Sequence, residues 1–251
     1  MYIDTHCHLS KEDYLDIDQI VQDNRKNLID KIIISGCTRD TIEESYLLSK
    51  NYEDIYLSIG YHPSEASVVS DEDIQYLESL LKEKKVVAVG EIGLDYHYGK
   101  ESVLEQKALF RLQLSLAEKY HLPVVIHSRD ATLDTISILK EFPNVKGDIH
   151  CFSGSVETAF EYISMGYKLG IGGVVTFKNS NLYKVVEAVG LDAILLETDA
   201  PYLTPVPFRG EQNSSKYIPL IAEKIAEILE VPVLEVASVT SKNAIDLFDL
   251  L

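Results

Sequence analysis

The stretch Tyr2-Ile3-Asp4-Thr5-His6-Cys7-His8 decides how the rest of the chain is read. A short strand-like run over residues 2–5 ends on two histidines spaced by one, and no Gly-x-Gly-x-x-Gly turn follows it. The missing glycine turn removes the main support for a dinucleotide-binding sheet. In a strand, residues two apart share a face, so His6 and His8 point one way and Cys7 the other. Two imidazoles on one face can chelate a single ion.

Seven further runs of the same kind follow, over residues 31–36, 55–60, 86–91, 123–127, 147–151, 168–172 and 193–197. Segments of helical period separate them. Val103–Tyr120 sets Leu104, Leu112 and Leu116 on one face. Residues 215–229 set Ile218, Ile221, Ala222, Ile225 and Leu229 together, and residues 233–250 do so with Leu234, Ala237, Ala244 and Leu247. Strand–helix alternation predicts a parallel sheet, and eight units predict its closure into a (β/α)8 TIM barrel. An open doubly wound sheet is the alternative. No low-complexity tract or flexible linker interrupts the pattern, so one domain over residues 1–251 is expected.

Composition agrees with a folded enzyme-sized chain: 251 residues, 46% hydrophobic and 25% charged. The opening residues lack the basic and apolar regions of a secretory signal. No apolar run approaches the roughly 20 residues of a membrane helix. Cys7, Cys37 and Cys151 form no CxxC pair, and their odd number argues against a disulfide framework; a reducing cytoplasm is the expected home. No feature calls for an obligate protein partner. A net charge of −17 is unlike a protein that grips duplex nucleic acid over a broad basic face. If the substrate is a polyanion, bound cations and a few local arginines must attract it.

The polar residues fall at corresponding places. His6 and His8 end the first run, His62 follows the third, Glu91 ends the fourth, His127 the fifth and His150 nears the end of the sixth; Asp199 follows the eighth. A barrel gathers all such strand ends on one face. The six donors His6, His8, Glu91, His127, His150 and Asp199 exceed what one open catalytic site needs. They suggest two divalent ions sharing a carboxylate, with Glu91 the natural bridge. Ions about 3.5–4 Å apart would acidify a trapped water and stabilise both entering and leaving oxygens. Four imidazoles suit zinc or manganese better than calcium, while nuclease chemistry often runs with magnesium.

Plainer readings compete at several positions. A His-x-His pair occurs by chance, and Gly60-Tyr61-His62-Pro63 also reads as an ordinary turn. His97 reads as a loop residue, and His121 as a histidine suiting a helix C-terminus. Cys7 and Cys151 read as buried core cysteines facing away from the donors. Gly170-Ile171-Gly172-Gly173 lacks the Lys-Ser/Thr of a phosphate loop, so close packing explains it better.

Ile3-Asp4-Thr5-His6-Cys7-His8, Gly90-Glu91-Ile92-Gly93-Leu94-Asp95-Tyr96, Ile126-His127-Ser128-Arg129, His150-Cys151-Phe152-Ser153-Gly154 and Leu196-Glu197-Thr198-Asp199-Ala200-Pro201-Tyr202-Leu203 together resemble the TatD family of metal-dependent hydrolases. The resemblance covers nearly the whole chain. It implies an amidohydrolase-type barrel with two divalent ions, and a glutamate where many relatives use a modified lysine. By that likeness His6, His8 and Asp199 hold one ion, His127 and His150 the other, with Glu91 between, and His62 near the substrate phosphate. Family members are typically deoxyribonucleases, so DNA is the expected substrate, with RNA possible. An activated water would attack phosphorus while Asp199 takes its proton, and Arg129 and Arg209 would contact phosphate. The alternatives are D-aminoacyl-tRNA deacylation or other ester or amide hydrolysis, and a non-catalytic metal-binding protein. One departure stands out: the family's Arg-Gly-x-Arg-Asn-x-Pro is here Arg209-Gly210-Glu211-Gln212-Asn213-Ser214-Ser215, which loses a cation and a helix-starting proline.

Overall fold

All eight expected strands form, and each is followed by a helix. The computed structural model describes residues 1–97, 99 and 101–250. They divide into two units, Met1–Ile34 with His150–Leu251 and Ser35–Ile149.

The first unit carries β1 (Tyr2–Cys7), α1 (Ile17–Lys26), most of β2 (Ile29–Gly36), α6 (Val156–Ser164), β7 (Lys168–Ile171), α7 (Leu182–Val189), β8 (Ile194–Leu196), α8 (Ile218–Leu229) and α9 (Val233–Phe248). β7 pairs in parallel with β8, and β1 with β2. The end of β1 also bridges to the chain just after β8, Cys7 to Ala200, and the His8 amide donates to Ala200 O at 2.6 Å. The last strand therefore lies beside the first. A (β/α)8 barrel needs that neighbourhood, and a Rossmann sheet of order 3-2-1-4-5-6 does not make it. Every residue of β1 is buried, as expected of a parallel strand covered on both faces.

The second unit carries α2 (Arg39–Ser49), β3 (Ile55–Ile59), α3 (Asp71–Leu80), β4 (Val86–Asp95), α4 (Val103–Tyr120), β5 (Val124–Arg129), α5 (Thr132–Leu139) and β6 (Gly147–Ile149). β3 to β6 pair in chain order, all parallel. Reciprocal capping boxes start α2 at Thr38 and α3 at Ser70.

Several boundaries differ from the sequence expectation for local reasons. β4 runs four residues past Glu91, because Gly93, Leu94 and Asp95 keep pairing with His127, Ser128 and Arg129. Gly93 permits this: its φ is +143°, and a Cβ there would sit 2.0 Å from the His127 carbonyl oxygen. β6 stops at Ile149 rather than 151, since Cys151 turns into left-handed backbone at φ 46°. Residues 215–217 form a single 3-10 turn before α8, and Pro219 sits in the first turn of that helix, so its start keeps a proline despite Ser215. α9 ends at Phe248, where Asp249 takes the left-handed cap.

The apolar face assigned to α4 is incorrect. Leu104 is 79% and Leu112 43% exposed, and only Leu116 is buried. The inward stripe is Gln106, Leu109, Phe110, Gln113, Leu114, Leu116 and Ala117. Its glutamines defeat a purely hydrophobic reading because they imitate backbone. Gln113 accepts the Tyr61 N–H at 2.7 Å and donates to the Tyr61 carbonyl at 2.9 Å, and Gln106 does the same for Asp95. Leu234 of α9 is likewise exposed, while Val236, Ala237, Thr240, Asn243, Ala244 and Phe248 face inward.

Because Gln113 is the hydrogen-bonding partner of a buried peptide next to His62, Gln113→Leu leaves both Tyr61 groups dry. It should lower unfolding stability by about 2–6 kcal/mol in denaturant titration, since each of the two groups costs roughly 1–3 kcal/mol.

Candidate metal centre

In the first unit four of the expected donors come together. His6 Nε2 and His8 Nε2 face each other at 3.3 Å, and Asp199 Oδ1 lies 3.6 Å from the first and 3.7 Å from the second. Two ligands about 2.1 Å from one ion at a tetrahedral angle stand about 3.4 Å apart, so this triangle has the dimensions of a divalent coordination sphere. His150 stacks on His6 with centroids 3.9 Å apart, and His6, His150 and Asp199 offer donor atoms all within 4.8 Å of one another. Nitrogens and a carboxylate oxygen suit zinc or manganese. The residues fit a metal.

The pleat explains the arrangement. His6 and His8 project to one side while Cys7, buried, donates its S–H to Ile33 O at 3.7 Å on the other. Asp199 reaches the histidines through left-handed backbone, φ 54°. Cys151, expected in the core, is only half-buried. The turn that carries it aims its N–H at Glu197 Oε1, 2.6 Å away.

Sequence reasoning missed the residues beneath this cluster. Asp4 is wholly buried and joins the two chain segments that carry the donors: Oδ1 accepts the Thr198 N–H at 3.0 Å and the His6 N–H at 3.3 Å, and Oδ2 accepts the Thr198 hydroxyl at 2.6 Å. Ser215 donates to Asp4 as well. The Ser215 hydroxyl thus serves the buried carboxylate. Burial pushes the Asp4 carboxyl up to about 7, against the pull of those hydrogen bonds. Glu197, also fully buried, lies 3.6 Å from His150 Nδ1. Burial raises its pKa too, with His150 pulling the other way. Gly170 makes room for it, since a Cβ there would meet Glu197 Oε2 at 2.1 Å, so the glycine run is a packing device. The Asp-x-His-x-His spacing was the available signal for Asp4; Glu197 had none beyond its place beside Asp199.

The second unit holds the other expected donors. Glu91 Oε1 is 2.7 Å from His127 Nδ1 and 3.9 Å from His62 Nε2. His127 Nε2 is 3.1 Å from Asp95 Oδ2, and its ring meets His62 edge-on at 4.6 Å. His62, Asp95 and His127 form a second group with donor atoms within 4.8 Å of one another. Burial works to raise the Asp95 pKa, yet hydrogen bonds from His127 and the His97 amide hold it below the usual carboxylate value. His62 also occupies the turn read at its position, with Nδ1 accepting from Ser64 N at 3.1 Å. His97 is an exposed loop residue beside Asp130, and His121 caps α4 in left-handed backbone. Arg129 is exposed at the end of β5. Arg209, also exposed, donates to Thr204 O at 2.8 Å and lies over the Phe177 ring at 4.0 Å. Gln212 donates to Asp13 O at 2.6 Å, so it ties the loop after Gly210 to the segment after β1.

A family model described as TatD related DNase matches residues 3–249. The chain belongs to the TatD family. Its TatD-family relatives include YabD of Bacillus subtilis, an uncharacterized metal-dependent hydrolase, 43% identical with 99% of each chain covered. YcfH of Escherichia coli, under the same description, is 34% identical over 99% of this chain and 96% of its own. The crystal structure of YjjV, a TatD homologue from Escherichia coli, superposes with a TM-score of 0.93 at 32% identity, covering 100% of this chain and 98% of that one. The TatD-family fold here is therefore the (β/α)8 barrel, and the protein is a metal-dependent hydrolase.

Asp4→Ala frees the Thr198 and His6 amides that aim the donors. Outer partners of this kind are worth about 10–100-fold in metal affinity, so competitive zinc titration should show a loss of that size with unfolding still cooperative.

Proposed function

We propose that the protein hydrolyses phosphodiester bonds of DNA, with RNA as a further substrate, and that its donors hold two divalent ions, zinc, manganese or magnesium. The observation that carries the reading is the triangle of His6, His8 and Asp199, whose 3.3, 3.6 and 3.7 Å edges suit a bound cation. The family's description as DNases and the donor set of the second unit support it. A divalent ion supplies an acidified water and neutralises charge developing on phosphoryl oxygens.

The chain's own residues do the rest. Asp199, partly exposed and held against two imidazoles, accepts the proton of the attacking water. His6 and His8 are fixed by the pleat, so little reorganisation accompanies the reaction. Glu91 and His127 hold each other in the second unit, with His62 at their edge toward substrate. Arg209, steadied by Thr204 O and the Phe177 ring, and Arg129 offer guanidinium donors to phosphate. At net charge −17, attraction of DNA depends on the ions and these local cations.

Purified protein loaded in turn with zinc, manganese and magnesium should cleave single- or double-stranded oligonucleotides, and chelation should abolish the activity. Asp199→Asn should lower kcat/KM about 10²–10⁴-fold, the range for loss of a general base. A preference for ester or amide substrates over phosphodiesters in the same panel would overturn the assignment.

With two ions per chain, Glu91→Ala should lower the bound metal measured by plasma emission after dialysis, while far-ultraviolet circular dichroism keeps its shape. Unchanged stoichiometry would remove Glu91 from the donor set.

A further inference from the structure

Three residues beyond Asp199 the chain leaves a large ring in water. Tyr202 is 60% exposed, yet its backbone is fixed on both sides. Its N–H donates to Asp199 O at 2.9 Å, and Asn213, fully buried, donates through Nδ2 to the carbonyls of Thr198 and Tyr202 and through its amide to Pro201 O at 3.1 Å. The ring meets that of His8 edge-on, with centroids 6.3 Å and planes 66° apart. A surface tyrosine of no consequence needs neither a buried asparagine to hold its peptide nor contact with a donor imidazole. An exposed aromatic ring anchored beside a phosphoryl-binding centre can take a base by stacking, a contact open to any base because each has a π-face.

We propose that Tyr202 is the stacking platform for the nucleobase next to the scissile phosphate. The assignment rests on the phosphodiester reading above and adds a base-binding subsite to it. The ring gives the site a preference for phosphates that carry a base, and its edge contact holds it beside His8.

The chain has no tryptophan, so Tyr202→Trp supplies a lone indole reporter. In the zinc-loaded variant, thymidine 5′-phosphate should quench its emission saturably while deoxyribose 5-phosphate leaves it unchanged; equal responses, or none, overturn the platform. In parallel, the kcat/KM preference of the wild type for a base-bearing over an abasic phosphodiester should fall about tenfold in Tyr202→Ala and persist in Tyr202→Phe. An equal loss on both substrates would mark the ring as packing for His8 and overturn the proposal. Wild-type protein that cleaves neither substrate sinks the phosphodiester reading alone, because the emission titration judges the platform without turnover.

Discussion

A single buried carboxylate joins the first strand to the segments that follow the last one. Asp4 accepts hydrogen bonds from His6, Thr198 and Ser215, so residues 194 positions apart share one fixed point. Burying it is costly enough to lift its pKa to about 7, and only a full set of donors makes that burial tolerable. What the cost secures is relative position: His6 lies two residues from Asp4 and Asp199 one residue from Thr198. The triangle of His6, His8 and Asp199 is set from below, by peptide amides and a hydroxyl.

The same device recurs around the molecule. Gln113 and Gln106 complete the backbone at Tyr61 and Asp95, and Asn213 does so for the loop after Asp199. Asn243 donates to Leu191 and Ile194 carbonyls at the start of β8. Barrel loops carry the chemistry, and loops have no ladder of their own to hold them. Buried side-chain amides take the place of that ladder, which gives residues near the donors the definition usually reserved for strands.

That solution also marks where sequence reading succeeded and where it ended. Eight apolar runs and the polar residues at their ends were legible because strand burial and metal chemistry each restrict residue type strongly. His6, His8, Glu91, His127, His150 and Asp199 were picked out by position, and the structure brings His6, His8, His150 and Asp199 together in one unit and Glu91 beside His127 in the other. The inward face of α4 did not, because Gln106 and Gln113 count as polar in any periodicity while behaving as core. Leu104 and Leu112 drew the stripe to the wrong side. Asp4, Glu197 and Asp95 carry their meaning in partners that spacing cannot reveal, 194 residues away for Asp4 and on the neighbouring strand for Asp95.

Continuation of β4 past Gly93 brings one last constraint. Glu91 and Asp95 lie an even number of residues apart on that strand, and each grips a different nitrogen of the His127 ring. The imidazole is thereby spoken for at both ends. One strand thus orients a ring carried by its neighbour from both of that ring's nitrogens, so the bearing of His127 is written into the pleat of β4 and not into β5 alone.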